Sequence, residues 1–190
     1  MKRAFLVLVA VFLLGNIYGQ NKTTGFVNRW DVGISVGGLL YSDIAGYQGM
    51  IETRAYLLKT AFNVNAFAGA GGLYANTKNP GHNLTDIYGY ALVGADWYLL
   101  KKAKSTLAPL SLRAQLMFGG GYASDINGED KKTGSPLLLF YPAIGANYDI
   151  KKTHVSLMFG YRSTINDRLK LAGMTIGLGA SYSILNRSGK

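Results

Sequence analysis

The chain has 190 residues, a formal charge of +10 at neutral pH, no cysteine, 25 glycines, 13 tyrosines and only 16% charged residues. That length accommodates one domain. The lack of cysteine excludes disulfides and thiolate metal centres, so stability must come from a packed core or a lipid environment.

The opening segment, MKRAFLVLVAVFLLGNIYGQ, has a charged start (Lys2, Arg3), an apolar run from Ala4 to Leu14 and a polar exit ending on a small residue. This is the layout of a secretory signal peptide, and the run is shorter than the ~20 apolar residues of a membrane helix. The expected division is a signal peptide over 1–19, a short periplasmic lead over 20–28, a β-barrel over 29–185 and a short tail over 186–190. Loss of Lys2 and Arg3 lowers the formal charge from +10 to +8, and no Cys follows the apolar run to carry a lipid.

From there the apolar period is two, as in strands whose alternate side chains face opposite sides. Eight strands are predicted in chain order. Trp30 to Leu40 sets Trp30, Val32, Ile34 and Val36 against Asp31, Gly33, Ser35 and Gly37; the loop YSDIAGYQ follows. Gly49 to Leu57 sets Ile51, Thr53 and Ala55 against Glu52, Arg54 and Tyr56, and a tight turn leads to Phe62 to Tyr74. ANTKNPGHNLTD is a loop by its Asn, Gly and Pro content. Ile87 to Leu99 follows, then the basic connection KKAKSTLAP and the strand LRAQLMFGGGY, residues 112–122. ASDINGEDKKTGSP is the longest polar loop, before Leu137 to Ile150, where Pro142 predicts a bulge. Lys151 and Lys152 make a two-residue turn into the seventh strand, which sets Val155, Leu157, Phe159 and Tyr161 against His154, Ser156, Met158, Gly160 and Arg162; after STINDRL the eighth runs from Leu171 to Ile184. Connections alternate between long and short, as in transmembrane barrels, and an even strand count puts both ends on the short-turn side.

A water-soluble barrel or sandwich would turn the apolar stripe inward. Here that stripe carries no charge in any strand, while the opposite stripe is rich in Gly, Ser, Asn and Tyr and poor in Lys. A solvated face carries Lys and Glu; a narrow bore takes small residues, aromatic fillers and charges that pair. The expected fold is therefore all-β, an eight-stranded antiparallel up-and-down transmembrane barrel with its apolar stripe in lipid. Trp30, Trp97, Tyr122, Tyr148, Tyr161 and Tyr182 are its expected aromatic girdle. Asp31, Glu52, Arg54, Asp96, Arg113, Asp149 and His154 are its expected structural lumen network, with Asp31 paired to Arg54 and Asp96 to Arg113. At eight strands, side chains fill such a bore.

The signal peptide, the eight amphipathic strands, FAGAGGLY, FGGGY and the terminal strand GMTIGLGASYSI resemble the small outer-membrane β-barrel proteins of Gram-negative bacteria, the group of the OmpA transmembrane domain, OmpX and OmpW. The likeness implies an outer-membrane location with periplasmic termini and lipopolysaccharide and phospholipid as surroundings. Other outer-membrane or periplasmic proteins are a further expected class of partner. The chain departs from the family in ending on LNRSGK rather than an aromatic, and only six residues follow Ile184, so the peptidoglycan tethering of OmpA is not carried over.

Catalytic options are few. His154, Ser156 and Asp167 faintly match the His-x-Ser arrangement of lipid A deacylases, but alternation places the first two in the lumen and Asp167 in a loop a strand-length away. Two distant histidines, His82 and His154, do not make a metal site, and no cofactor or nucleic-acid site is expected. The leading expectation is a non-enzymatic structural or accessory component of a larger envelope complex. A small pore for ions or hydrophobic solutes is the alternative, and a lipid A-modifying enzyme the third.

Overall fold

The computed structural model describes residues 27–41, 44–57, 61–77, 83–100, 106–125, 135–165 and 172–186. The expected signal peptide, most of the lead and the last four residues of the tail lie outside them, as do His82 and Asp167. Eight strands are present: β1 (Arg29–Tyr41), β2 (Ile44–Tyr56), β3 (Phe62–Thr77), β4 (Asn83–Trp97), β5 (Leu110–Asp125), β6 (Ser135–Ile150), β7 (Thr153–Ile165) and β8 (Gly173–Asn186). Each pairs antiparallel with its sequence neighbours, and β1 pairs with β8 to close the barrel. Up-and-down order puts Arg29 and Asn186 at one end, here the near end, together with the β2–β3, β4–β5 and β6–β7 connections.

The fold is inside-out relative to a soluble domain. Ile34, Ile51, Ile87, Val93, Phe118, Ile144, Phe159 and Leu178 are all exposed, with Ile87 at 75% and Ile144 at 68%. The intervening positions turn inward and are buried, among them Asp31, Arg54, Asp96, Arg113, His154 and Arg162. Soluble monomers rarely expose a contiguous apolar patch beyond a few hundred Å². A continuous apolar belt around charged residues suits hydrocarbon outside, so this is a barrel of the transmembrane kind.

Several far-end strands are longer than the alternation predicts. β2 starts at Ile44 rather than Gly49, β4 at Asn83 rather than Ile87, and β3 and β5 run on to Thr77 and Asp125. Much of YSDIAGYQ is therefore strand, because ladder bonds hold a backbone whatever its side-chain contrast, and Ala45 and Gly46 supply almost none. The same extension brings Asp86, read as part of a loop, into β4 facing the lumen.

Pro142 does not produce the expected bulge. β6 pairs with β7 at Phe140↔Ser163 and resumes at Ala143↔Gly160 in unchanged register; the ladder skips Tyr141 and Pro142, where the missing proline N–H cannot contribute. The register shift lies elsewhere, between Trp30 and Asp31 opposite Leu185 and Ser183, with Ile184 the extra residue. Lys151 and Lys152 do form a two-residue turn, with Lys151 at φ 57°.

Candidate functional site

The bore is packed in three layers. At the near end, Arg29 reaches Asp31 (3.1 Å) and Asp149 (3.3 Å), and Tyr98 donates to Asp149 (2.7 Å). His154 lies between Asp149, 2.7 Å from Nδ1, and Ser183, 2.7 Å from Nε2. Ser183 in turn donates to Asp31 at 2.7 Å. This ring joins β1, β6, β7 and β8, so it also laces the seam at which the barrel closes. The bulge beside Asp31 falls at the same place.

In the middle layer Arg113 holds Asp96 bidentately, Nε to Oδ1 at 2.7 Å and Nη2 to Oδ2 at 2.8 Å, and donates to Tyr56 at 2.9 Å. The two residues are register partners on β4 and β5, so their side chains share a face. Arg54 and Asp31 are register partners too, yet they do not pair as expected. Arg54 turns instead to Glu52 (3.0 Å), Gln115 (3.0 Å) and Asn65 (3.3 Å), and its guanidinium lies 4.2 Å from the centre of the Phe67 ring. Asp31 takes Arg29 on its own strand, a partner that cross-strand reasoning overlooked.

The far half is largely apolar. Leu39, Leu73, Leu137, Leu139, Tyr88 and Tyr90 are buried there, with one charge pair among them: Arg162 donates to Asp86 and sits 5.1 Å from the centre of the Tyr88 ring. Neither residue belongs to the expected lumen network. Arg162 already stood on an inward position of the seventh strand, so an unassigned lumen cation was the signal that a carboxylate was missing from the list.

A cavity of about 30 Å³ remains in the middle, lined by Ser35, Gln48, Glu52, Arg54, Gln115 and Ser156 among others. That is room for one or two waters, far below the ~300 Å³ of a small-molecule pocket. The six girdle residues all face outward. Trp30, Trp97, Tyr148 and Tyr182 lie toward the near end, and Tyr122 and Tyr161 toward the far end, where exposed Tyr47 and Tyr74 join them.

One arrangement resembles acyl-transfer machinery. Asp149, His154 and Ser183 have the spacing of an activated serine nucleophile, whereas Ser156, the serine singled out from sequence, makes no such contact with His154. Ser183 is only 2% exposed, however. Its single hydroxyl proton goes to Asp31, not to the imidazole that would have to abstract it, and a carboxylate beside the oxygen opposes developing negative charge. The chemistry available to this ring is charge pairing.

No family model matches the chain, and no curated protein matches it by sequence. Among solved structures it is similar to Neisserial surface protein A, with a TM-score of 0.55 and 10% identity over 80% of this chain and 96% of that one. It also aligns with the outer-membrane protein Ail of Yersinia pestis (14% identity, 83% and 99% covered, TM-score 0.43). The N-terminal β-barrel domain of Pseudomonas aeruginosa OprF aligns comparably (13%, 81% and 97%, 0.43). At such identity the likeness to the Neisserial protein is one of fold: the chain has the architecture of the small eight-stranded outer-membrane barrels.

Proposed function

We propose that this chain is an integral outer-membrane barrel with a sealed bore, its near end in the periplasm, serving as a structural or accessory component of a larger envelope assembly. Lipopolysaccharide and phospholipid surround its apolar belt, and outer-membrane or periplasmic proteins are its macromolecular partners. The observation that carries this reading is the packed lumen. Arg113, Asp96, Arg162 and Asp86 are buried and paired, and the far half is filled by leucine and tyrosine side chains. A desolvated charge pair stacked with apolar layers is a poor path for an ion. The buried Ser183 likewise supports a non-enzymatic role.

The test is planar-bilayer recording of the purified barrel together with mild-detergent extraction of the protein from its membrane. The expected outcome is no steady single-channel opening and recovery with defined envelope proteins. Steady openings would replace this reading with that of a small pore, and a mass shift in lipid A on expression would replace it with an enzyme.

A further inference from the structure

We infer that the near-end rim formed by Leu99, Leu100, Leu107, Ile150, Lys151 and Lys152 is a docking surface for anionic phospholipid headgroups. The inference rests on the reading that the barrel spans a bilayer with this end inward. Leu99, Leu100, Leu107 and Ile150 are all exposed, and they lie just beyond exposed Trp97 and Tyr148 on the same outer face. The returning limb of the β4–β5 connection is tied down: Leu110 N donates to Leu107 O (2.9 Å), Asp149 N to Pro109 O (3.2 Å) and the Tyr148 hydroxyl to Thr106 O (3.0 Å). These bonds fix the connection against the end of β6, which leads directly into the exposed turn Lys151–Lys152. Aliphatic side chains and ammonium groups therefore share one rim.

No carboxylate offsets those cations among the described residues of this rim. Asp31, Asp96 and Asp149 all turn into the bore and are engaged by Arg29, Arg113 and His154. The sequence repeats the motif at each near-end connection: Leu57-Leu58-Lys59, Leu99-Leu100-Lys101-Lys102 and Ile150-Lys151-Lys152, with no Asp or Glu in residues 57–61, 99–109 or 150–153. At the described positions Leu99, Leu100, Ile150, Lys151 and Lys152 this order of residues matches a bilayer boundary: hydrocarbon receives the aliphatic side chains while the flexible stems of Lys151 and Lys152 carry ammonium groups to phosphate. An acidic soluble protein would satisfy the lysines and leave the leucines without a matching surface.

The experiment compares spin-labelled phosphatidylglycerol with spin-labelled phosphatidylcholine around the full barrel in phosphatidylcholine nanodiscs. The wild type is expected to favour phosphatidylglycerol, with a preference that salt weakens. Lys151→Gln and Lys152→Gln are each expected to lower it by up to about fivefold, the equivalent of ~1 kcal/mol per surface lysine. A heat-dependent gel shift verifies that the variants fold, and Lys152→Gln alone avoids the left-handed position. Equal association of the two lipids with an inserted wild-type barrel would overturn the inference and leave the membrane reading standing. So would a preference unchanged in both variants, or lysine variants that abolish recovery of an acidic protein while lipid preference persists. A barrel that never enters the discs would overturn both.

Discussion

Replacing Asp96 with Ala isolates the central charge pair. The carboxylate takes two bonds from Arg113, at 2.7 and 2.8 Å, and both side chains are almost wholly buried. Its removal leaves a desolvated guanidinium with the Tyr56 hydroxyl as its remaining close partner, at 2.9 Å. Stranding one member of a buried pair costs about 3–5 kcal/mol, a large share of a total stability of roughly 5–15 kcal/mol. The double variant Asp96→Leu/Arg113→Met removes both charges. Apolar replacement of a buried pair gains about 1–4 kcal/mol, and the orphaned Tyr56 hydroxyl returns about 1–3 kcal/mol of cost, so the double variant is expected near wild type. Urea unfolding in lipid vesicles, followed by the fluorescence of Trp30 and Trp97, reads both variants; these are the chain's two tryptophans. An Asp96→Ala variant within about 1 kcal/mol of wild type would refute the reasoning, because solvent would then hydrate Arg113 well enough to stand in for the lost carboxylate.

Four other outcomes follow from local geometry. A Cβ at Gly121 would lie 1.9 Å from the Ile87 carbonyl oxygen and 2.6 Å from Tyr88 Cα, so Gly121→Ala should cost about 3 kcal/mol or more. Gly177→Ala, whose nearest neighbour would be 3.4 Å away, should be neutral or gain up to about 1 kcal/mol in the same unfolding assay. Lys151→Asn should raise the urea midpoint by the equivalent of about 1 kcal/mol, since Asn tolerates φ near 57° better than Lys; no change would mean that the turn relaxes at little cost. Ser183→Ala should destabilise by about 1–3 kcal/mol by removing a hydroxyl placed between His154 and Asp31, and a serine-directed fluorophosphonate should leave wild-type Ser183 unlabelled; labelling would reopen the acyl-transfer reading.

Period-two alternation was enough to read eight strands, the apolar outer stripe and the inward set Asp31, Glu52, Arg54, Asp96, Arg113, Asp149 and His154, because a pleated strand assigns faces residue by residue. The turn at Lys151–Lys152 was equally readable, since so short a link between two alternating runs leaves only a hairpin. Where contrast between faces fades, as at Ala45–Gly46 or in the Asn-rich run before Asp86, strand length was hidden.

Face and partner are different kinds of fact. Alternation tells which way Arg54 points, but its choice of Glu52 and Gln115 over Asp31 depends on the width of the closed bore and on Arg29 having already claimed Asp31. The bulge opposite Trp30 and Asp31, the ring through His154 and Ser183, and the Arg162–Asp86 pair join strands as far apart in sequence as β1 and β8 or β4 and β7. Closing the sheet sets those cross-bore distances, and a repeat read along one strand carries no information about them.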